Sequence, residues 1–450
     1  MPELNFLKRY FSDLFFSTRF YTVGGLCTFL FVLAYFFPVF LPIAMIALLL
    51  FTGLVMLDYS LLFFTAKAPV VKRFSASRLS NGDSNDISIE VKSNYAIPVK
   101  VLIIDELPIQ LQERDFSITK KMKAKQVRNF HYQITPTQRG EYSFGDIQLY
   151  FSSMLGMVNR RFTASLEQVV SVYPSFMQMR KYQLVSQTAY LGEQGNQRLR
   201  KIGQSMEFEQ IKEYVTGDDI RTINWRATAR RGQLMVNNYV DEKSQQVYCI
   251  IDKGRLMKMP FKGMSLLDYS INTALALTNV CLQKQDRVGL MGFSTKLSTL
   301  IAADKKPIQR ENIMEALYKE QTSFQESDYE MLYTQVRHKL KQRSLLVLFT
   351  NFESLGGLKR QLGYLRSIAR HHLLMVVFFE NTEMDKLAHA DAYSVEDVYL
   401  KTVAEKFMFE KKLIVKELQK YGILSVLTRP ENLTISSINK YLELKARQAV

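Results

Sequence analysis

The longest uncharged stretch of the chain runs from Phe20 to Leu57 and is almost wholly apolar. An α-helix crosses the hydrocarbon core of a bilayer with about 20 residues, so this stretch is long enough to cross twice. Pro38 and Pro42 lie at its centre, in the sequence FFPVFLP, where helices break. The pattern predicts a transmembrane hairpin, and its length and lack of charge argue against a single buried core helix. The predicted segments are an N-terminal region, residues 1–65, with helices over about 20–37 and 43–63.

Short strands dominate the next hundred residues. The sequences DISIEVKS and VKVLIID alternate apolar and polar positions, and FGDIQLYF adds another short apolar run. Turn signals separate these runs, namely NGD at 81–83 and the sequence around Pro136 and Gly140. Strands at this spacing predict a β-sandwich over residues 66–178.

The pattern changes at residue 245 and then continues to the end of the chain, residue 450. Apolar runs such as QQVYCIID and RSLLVLFTNF alternate with amphipathic segments such as LKRQLGYLRSIARH. This alternation predicts a parallel sheet with helices on both faces, a doubly wound α/β domain. The fold class is therefore α+β multidomain, with residues 179–244 joining the sandwich to the α/β domain.

Charge changes this picture in two ways. The net charge of +16 calls for an anionic partner, either nucleic acid or an anionic membrane surface. Basic residues flank both ends of the predicted hairpin and are absent from its turn, which places both termini and the soluble domains in the cytoplasm of a cell with an inner membrane. The flanking residues are Lys8, Arg9 and Arg19 before the hairpin, and Lys67, Lys72, Arg73 and Arg78 after it.

The cysteines agree with a reducing compartment. Cys27, Cys249 and Cys281 are far apart and lie in apolar segments, where buried free thiols are usual. Their spacing matches no zinc site and no disulfide framework.

Catalytic motifs are not found in the sequence. It contains neither GxSxG, nor HExxH, nor the phosphate-loop pattern GxxxxGK[ST]. His371 and His372 are adjacent at the start of a predicted strand, and adjacent strand residues face opposite ways, so they make a poor ligand pair. We therefore expect no enzymatic activity.

Polar residues collect where ligands bind in a doubly wound sheet, beyond the carboxyl ends of the strands. Asp252 ends the first strand of the predicted α/β domain, and Thr350 and Asn351 end a later one. Between them, Ser327 and Asp328 immediately precede a helix. Oxygen atoms of these types are the ligands that Mg²⁺ prefers.

This arrangement resembles the von Willebrand factor A-type domain, whose metal-ion-dependent adhesion site uses an Asp-x-Ser-x-Ser turn, a Thr and a later Asp. Asp252 matches the first Asp, but Gly254 and Leu256 stand in place of the two serines and Asn351 in place of the later Asp. The resemblance therefore implies a degenerate metal site. In the alternative interpretation, Asp252 caps a turn or pairs with an arginine.

The most distinctive segment is GQSMEFEQIKEYVTGDDIRTINWRATARRGQLMVNNYVDEKSQ, residues 203–245, which holds the only tryptophan. It resembles the signature of the domain-of-unknown-function family fifty-eight, as does the sandwich pattern at Pro136–Gly145. Asn224 replaces the usual Asp of that signature and Arg226 the usual Lys. The matching residues are Glu207, Phe208, Tyr214, Gly217, Asp218, Asp219, Arg221, Ile223, Trp225, Ala229 and Arg230.

Two roles remain open for this segment. Gly217 suits a tight turn, either adjacent aspartate can cap a helix or bind an arginine, and Trp225 offers a face on which Arg226 or Arg230 can stack. Such a cluster would clamp the segment onto the α/β domain. The functional interpretation is a docking surface, since Trp and Arg dominate interface hot spots. The residues assigned to it are Gly217, Asp218, Asp219, Arg221, Trp225, Arg226 and Arg230.

The family resemblance implies association with MoxR-type AAA+ ATPases, which are proposed to assemble or activate protein complexes. We therefore expect a non-catalytic, membrane-anchored adaptor with a von Willebrand factor A-like domain and a protein partner. A nucleic-acid-binding or processing protein is the alternative that the net charge motivates. A metal-dependent hydrolase would need clustered carboxylates, and Asp252 with Asp328 is the one obvious pair. No cofactor is expected, apart from Mg²⁺ if Asp252 binds an ion.

Overall fold

The computed structural model describes residues 12–64, 68–177, 206–216, 218–241 and 244–447. The chain divides into two compact units, Met1–Tyr173 and Pro174–Val450. The predicted α+β class is confirmed in its coarse form, because two apolar helices, a β-rich region and an α/β region follow one another along the chain.

The predicted hairpin is present. Helix α1 covers Thr18–Phe36 and α2 covers Leu41–Phe63, with a 3-10 turn at Pro38–Phe40 between them. Ser17 caps α1 by accepting a hydrogen bond from the Phe20 N–H. The prolines therefore end one helix and begin the next, as the sequence predicted.

Both helices keep their apolar side chains exposed. Their most apolar segments have mean hydropathies of 1.4 and 2.6 and are only 11% and 6% buried. A core helix of a soluble protein buries its apolar face against the rest of the fold. These two helices are long and apolar enough to span a membrane.

The rest of the first unit consists of three sheets around one core, and all of their strand pairs are antiparallel except β3 with β11. The sheets have the strand orders β1-β10-β9-β5-β6, β2-β4-β7 and β3-β11-β8. Alternation produces the core, since Ile87, Ile89 and Val91 of β4 are fully buried while their neighbours are not. The strands are β1 (Leu14–Phe16), β2 (Val70–Phe74), β3 (Arg78–Ser80), β4 (Asn85–Lys92), β5 (Val99–Asp105), β6 (Ile118–Met122), β7 (Val127–Ile134), β8 (Gly140–Phe144), β9 (Ile147–Ser152), β10 (Val158–Ala164) and β11 (Gln168–Tyr173).

Both ends of the hairpin bind the β9–β10 loop, residues 153–157. Before α1, the Ser17 N–H donates to the Met157 carbonyl at 3.1 Å. Near the end of α2, the fully buried Asp58 carboxylate accepts from the backbone N–H groups of Met157 at 2.8 Å and Val158 at 2.9 Å. The hairpin is therefore joined to the sheet by buried hydrogen bonds.

Arg160 of β10 provides a hydrogen-bond donor for a backbone carbonyl at the C-terminal end of α2. Its guanidinium donates to the Leu62 carbonyl at 2.7 Å and lies over the Phe63 ring at 4.7 Å. The Tyr95 hydroxyl donates to the same Leu62 carbonyl at 3.1 Å. A cation at a helix C-terminus is favourable because the last carbonyls of a helix lack intrahelical partners. Arg73, one of the basic residues after the hairpin, is also buried, in an ion pair with Asp105.

The second unit contains the predicted α/β domain. Its sheet has the strand order β18 (Leu297–Asp304), β17 (Arg287–Phe293), β14 (Gln246–Asp252), β19 (Leu345–Phe349), β20 (Leu373–Phe379) and β21 (Leu424–Thr428). Strand β18 is an antiparallel edge strand and the others are parallel. The chain moves outward from β14 to β18 and returns on the other side with β19, so the strand order switches between β14 and β19.

The elements of the second unit follow in chain order. They are β12 (Met206–Glu213), α3 (Trp225–Arg231), β13 (Met235–Asp241), β14 (Gln246–Asp252), β15 (Pro260–Phe261), β16 (Met264–Ser265), α4 (Leu266–Gln283), β17 (Arg287–Phe293), β18 (Leu297–Asp304), α5 (Ile308–Lys319), α6 (Tyr329–Lys339), β19 (Leu345–Phe349), α7 (Leu355–Ala369), β20 (Leu373–Phe379), α8 (Thr382–His389), α9 (Val395–Lys420), β21 (Leu424–Thr428) and α10 (Leu433–Ala446).

Candidate functional site

Asp252 is the centre of a buried hydrogen-bond network at the strand switch. It ends β14 and is 4% exposed. Its carboxylate accepts from the Thr350 hydroxyl at 2.7 Å, the Tyr329 hydroxyl at 3.2 Å, the Ser327 hydroxyl, and the Gly254 N–H at 2.8 Å. The topology therefore brings together Asp252, Ser327 and Thr350, as the sequence predicted, and adds Tyr329.

Burial raises the pKa of Asp252, and hydrogen bonds from Ser327, Thr350, Gly254 and Tyr329 oppose that rise. Burial also raises the pKa of the Tyr329 phenol well above its ordinary value. With its oxygens already accepting from these donors, the carboxylate holds the β14, β19 and α6 ends together.

Packing disfavours a larger side chain at Gly254. A Cβ atom at this position would lie 2.1 Å from the Ser327 Oγ and 3.1 Å from the Asp252 Oδ1. The Ser327 hydroxyl thus occupies the space that a serine at 254 would need. Leu256 lies in the 3-10 turn Arg255–Lys258 and offers no oxygen ligand.

Asp328 does not join the Asp252 network. It is exposed and caps α6 by accepting from the Met331 N–H at 3.0 Å. The carboxylate pair that a hydrolase would need is therefore not assembled, and Asp328 acts as a helix cap.

Asn351 binds a lysine. Its amide oxygen accepts from the Lys411 ammonium of α9 at 2.8 Å, and Asn351 is 4% exposed. Burial of the ammonium lowers the pKa of Lys411 to about 8, with Glu353 and Glu380 acting in the opposite direction. No signal in the sequence indicated Lys411, since it lies 60 positions from Asn351.

These residues do not suit Mg²⁺. A hard divalent ion needs several oxygen ligands, whereas here Gly254 and Leu256 carry none and the Asn351 oxygen accepts from an ammonium. Among the residues described, no three His, Cys, Asp or Glu side chains are grouped to hold an ion. The Asp252 network instead has the character of a turn cap, which was the alternative interpretation of the sequence.

The signature segment forms a β-hairpin that carries a short helix. Strands β12 and β13 pair antiparallel, and α3 lies between them. Asn224 caps α3 by accepting from the Ala227 N–H at 3.0 Å, and Gly232 ends the helix with a φ of 71°. The Asn224 amide also donates to the Asn237 side chain at 2.8 Å, which ties the helix to β13.

The two aspartates of the segment have local roles. Asp219 caps the 3-10 turn Ile220–Thr222 by accepting from the Arg221 N–H at 2.9 Å. Asp218 pairs with Lys212 at 2.9 Å, and this hydrogen bond lowers its pKa. Gly217 lies outside the described residues.

The tryptophan and arginines of the segment face outward. Trp225 is 70% exposed. Arg221, Arg226 and Arg230 are also exposed. These side chains are accessible to a partner, and stacking of Arg226 or Arg230 on the indole ring stays a prediction.

The fold and the site together define a class of protein. Two apolar helices and a β-rich region are followed by an α/β region, in which hydrogen bonds to Asp252 close the carboxyl end of the sheet. The family described as "Protein of unknown function DUF58" matches residues 210–409, which supports the family assignment that the signature segment predicted. This match contains Trp225, the Asp252 network and Asn351.

One curated relative that matches is the uncharacterized protein YeaD of Bacillus subtilis (strain 168). It is 24% identical over 220 residues, which are 48% of this chain and 54% of YeaD. The chain thus spans about half the length of that relative.

Matches to solved structures are distant. The conserved hypothetical protein BatB from Bacteroides thetaiotaomicron is 12% identical with a TM-score of 0.30, covering 45% of this chain and all of BatB (100%). The CARDB domain of the PF1109 protein from Pyrococcus furiosus is 17% identical with a TM-score of 0.17, covering 24% of this chain and 96% of that domain. Scores this low do not establish a shared fold.

Proposed function

We propose that this protein is a non-catalytic adaptor, anchored by its hairpin in the cytoplasmic (inner) membrane with its soluble domains in the cytoplasm. The observation that carries the proposal is the outward-facing surface of Trp225, Arg221, Arg226 and Arg230 on a well-capped scaffold. A tryptophan that is 70% exposed contributes little to the fold, yet Trp and Arg are the residues on which interfaces most depend.

The Asp252 network supports the non-catalytic part of the proposal. A general base or nucleophile must reach a substrate, whereas Asp252 is 4% exposed and its carboxylate accepts four hydrogen bonds. We infer that the α/β domain is von Willebrand factor A-like, and the position of Asp252 at the end of β14 supports this inference.

The partner that the family resemblance implies is a MoxR-type AAA+ ATPase, which the adaptor would hold at the membrane for the assembly or activation of protein complexes. The arginines of the docking surface favour an acidic face on that partner. Outward-facing apolar side chains of α1 and α2 supply the anchoring.

A binding experiment tests the adaptor role. The full chain in detergent is titrated with the purified MoxR-type ATPase of the same organism, and Trp225→Ala is compared with Tyr393→Ala. Tyr393 is also an exposed aromatic residue, at 90%, but lies outside the signature segment. We expect Trp225→Ala to weaken binding by about tenfold or more and Tyr393→Ala to leave it unchanged. Equal effects of both changes, or no binding by the unaltered chain, would reject the proposal.

Nucleic acid is the second candidate, motivated by the net charge of +16. Electrostatic binding to nucleic acid strengthens steeply as salt is lowered. Mobility of a DNA or RNA probe that stays unchanged at low salt would remove this candidate, and a salt-dependent shift would favour it over the adaptor.

A further inference from the structure

A cleft of about 440 Å³ lies at the edge of the parallel sheet opposite Asp252. Its walls are the C-terminal ends of α6 and α7 and the loops that lead into β19 and β20. Asp252 is the last residue of a strand of the same parallel sheet, whereas these loops precede strands. The cleft is therefore separate from the Asp252 network, and its volume lies within the roughly 300–1,000 Å³ of small-molecule pockets.

Half of the cleft lining is basic. Of its ten lining residues, none is acidic. Val336, Leu340 and Ile368 supply an apolar floor, and Tyr333 and Ser367 add hydroxyl groups. The basic lining residues are Arg337, Lys341, Arg343, His371 and His372.

The charged groups among them, Arg337, Lys341 and Arg343, form no ion pair within the described residues. Arg337 donates to the Tyr333 hydroxyl at 3.0 Å, which is a neutral partner. His372 is 5% exposed, and its Nδ1 is buried without a hydrogen-bond partner. Unpaired buried polar atoms are rare in folded proteins and call for an explanation.

Two other cations of the same domain that approach the interior are paired with carboxylates. Lys253 binds Glu320 at 2.6 Å, and Lys445 binds the buried Asp286 at 2.6 Å. The three charged residues of the cleft are exposed and lie near the carbonyl ends of α6 and α7, which favour nearby cations, as all helix C-termini do. That effect is short-ranged and does not supply the formal negative charge that Lys253 and Lys445 have beside them.

We propose that this cleft binds a small phosphate-bearing ligand, whose phosphate oxygens are held by Arg337, Lys341 and Arg343. Phosphate oxygens accept forked hydrogen bonds from guanidinium groups and single bonds from ammonium groups. Three positive side chains around one concavity suit a ligand with two or more negative charges. The same phosphate chemistry occurs in nucleotides, in inorganic phosphates and in lipid headgroups.

The test uses the full chain in nanodiscs of neutral lipid, with calorimetric titration of three probes in metal-free buffer. Pyrophosphate, ATP and glycerophosphoglycerol represent inorganic, nucleotide and lipid-headgroup sources of phosphate. We expect saturable one-site binding of at least one probe, and the tightest of them identifies the source. If none of the three binds at low salt, the proposal is wrong.

Charge-matched variants locate the binding. Arg337→Gln with Arg343→Gln removes two charges from the cleft, and Lys359→Gln with Arg360→Gln removes two from the exposed face of α7, outside it. Because hydrogen bonds to charged groups are the strong ones, we expect the cleft variant to bind about tenfold or more weakly and the control to bind normally.

Equal weakening in both variants would show a diffuse charge effect and overturn the site. Thermal unfolding verifies that each variant is folded. If the cleft double variant does not fold, Lys341→Gln alone, at an exposed position, gives the same comparison with Lys359→Gln as its control.

Discussion

The Lys411 ammonium donates a hydrogen bond of 2.8 Å to the Asn351 side-chain oxygen, beneath the mouth of the α/β sheet. In the von Willebrand factor A-type domain that this region resembles, a metal ligand stands at the position of Asn351. Here Asn351 binds the Lys411 ammonium instead of a metal ion. The pair explains how an asparagine is accommodated there at 4% exposure, because its buried acceptor is satisfied.

Replacing this lysine gives a pH-dependent change in stability. The pKa of Lys411 falls from 10.5 to about 8 on folding, so its ammonium opposes folding fully below pH 8 and not at all above the unfolded value. The stability of Lys411→Met relative to the unaltered chain should therefore fall between pH 7 and pH 10. The fall approaches about 3 kcal/mol, the equivalent of the pKa difference.

Thermal unfolding of the full chain in detergent measures this effect. Lys412→Met is the control, because Lys412 is exposed on the same helix and its replacement should give a difference that does not vary over this range. A pH-independent difference for Lys411→Met would contradict the burial of its ammonium.

The space at Gly254 gives a second prediction. Gly254→Ser restores a residue of the metal-binding motif but places its Cβ 2.1 Å from the Ser327 Oγ. We expect a loss of about 1–3 kcal/mol from overpacking and no gain of Mg²⁺ binding by calorimetry.

The double variant Gly254→Ser with Ser327→Ala removes the clashing oxygen and should recover part of this stability. A double-mutant cycle on unfolding free energies therefore shows favourable coupling. Additive losses in the two variants would mean that the crowding at Ser327 is not the cause.

Asp58 gives a third prediction, on the joint between hairpin and sheet. Asp58→Ala leaves the backbone N–H groups of Met157 and Val158 buried without their acceptor. Each lost partner costs about 1–3 kcal/mol, so the midpoint of thermal unfolding in detergent should drop clearly. Ser60→Ala, at an exposed position of the same helix, is the matched control and should have little effect. A midpoint unchanged by Asp58→Ala would mean that the joint is not stabilising.

Membrane orientation gives a fourth prediction. Val39 lies in the turn of the hairpin and is 79% exposed, while Tyr393 is 90% exposed in the α/β domain. Under the proposed orientation, Val39→Cys reacts with an impermeant maleimide in intact cells, and Tyr393→Cys reacts only after permeabilisation.

The background in this experiment is low, because the three native cysteines are buried free thiols. Burial raises the pKa of Cys249 to about 12, which suppresses its thiolate. Labelling of Tyr393→Cys in intact cells would contradict the proposed orientation and place the α/β domain outside the cytoplasm.

Local features were predictable from the sequence, and long-range contacts were not. The hairpin was placed within two residues of its observed bounds because hydrophobic length and proline are local signals. Strands β14 and β19 were found for the same reason, as short apolar runs. The prediction did not include β1, which has only three residues, or the edge strand β18, which is half exposed and lacks a continuous apolar run.

Within the candidate site, the sequence identified Asp252 and Asn351 by their places after strands. It missed Tyr329 and Lys411. Helices α6 and α9 bring these two residues to the carboxyl end of the sheet, although they are far along the chain from Asp252 and Asn351. It also overestimated Asp328, whose place before a helix is explained by capping.

The β9–β10 loop receives hydrogen bonds from one end of the hairpin and donates them to the other, through Ser17 and Asp58. For helices held in a bilayer, such a joint transmits force: tilting either helix pulls on strands β9 and β10, which lie side by side within their sheet. Under the anchoring proposed above, a change in bilayer thickness that tilts the hairpin would therefore act directly on these two strands.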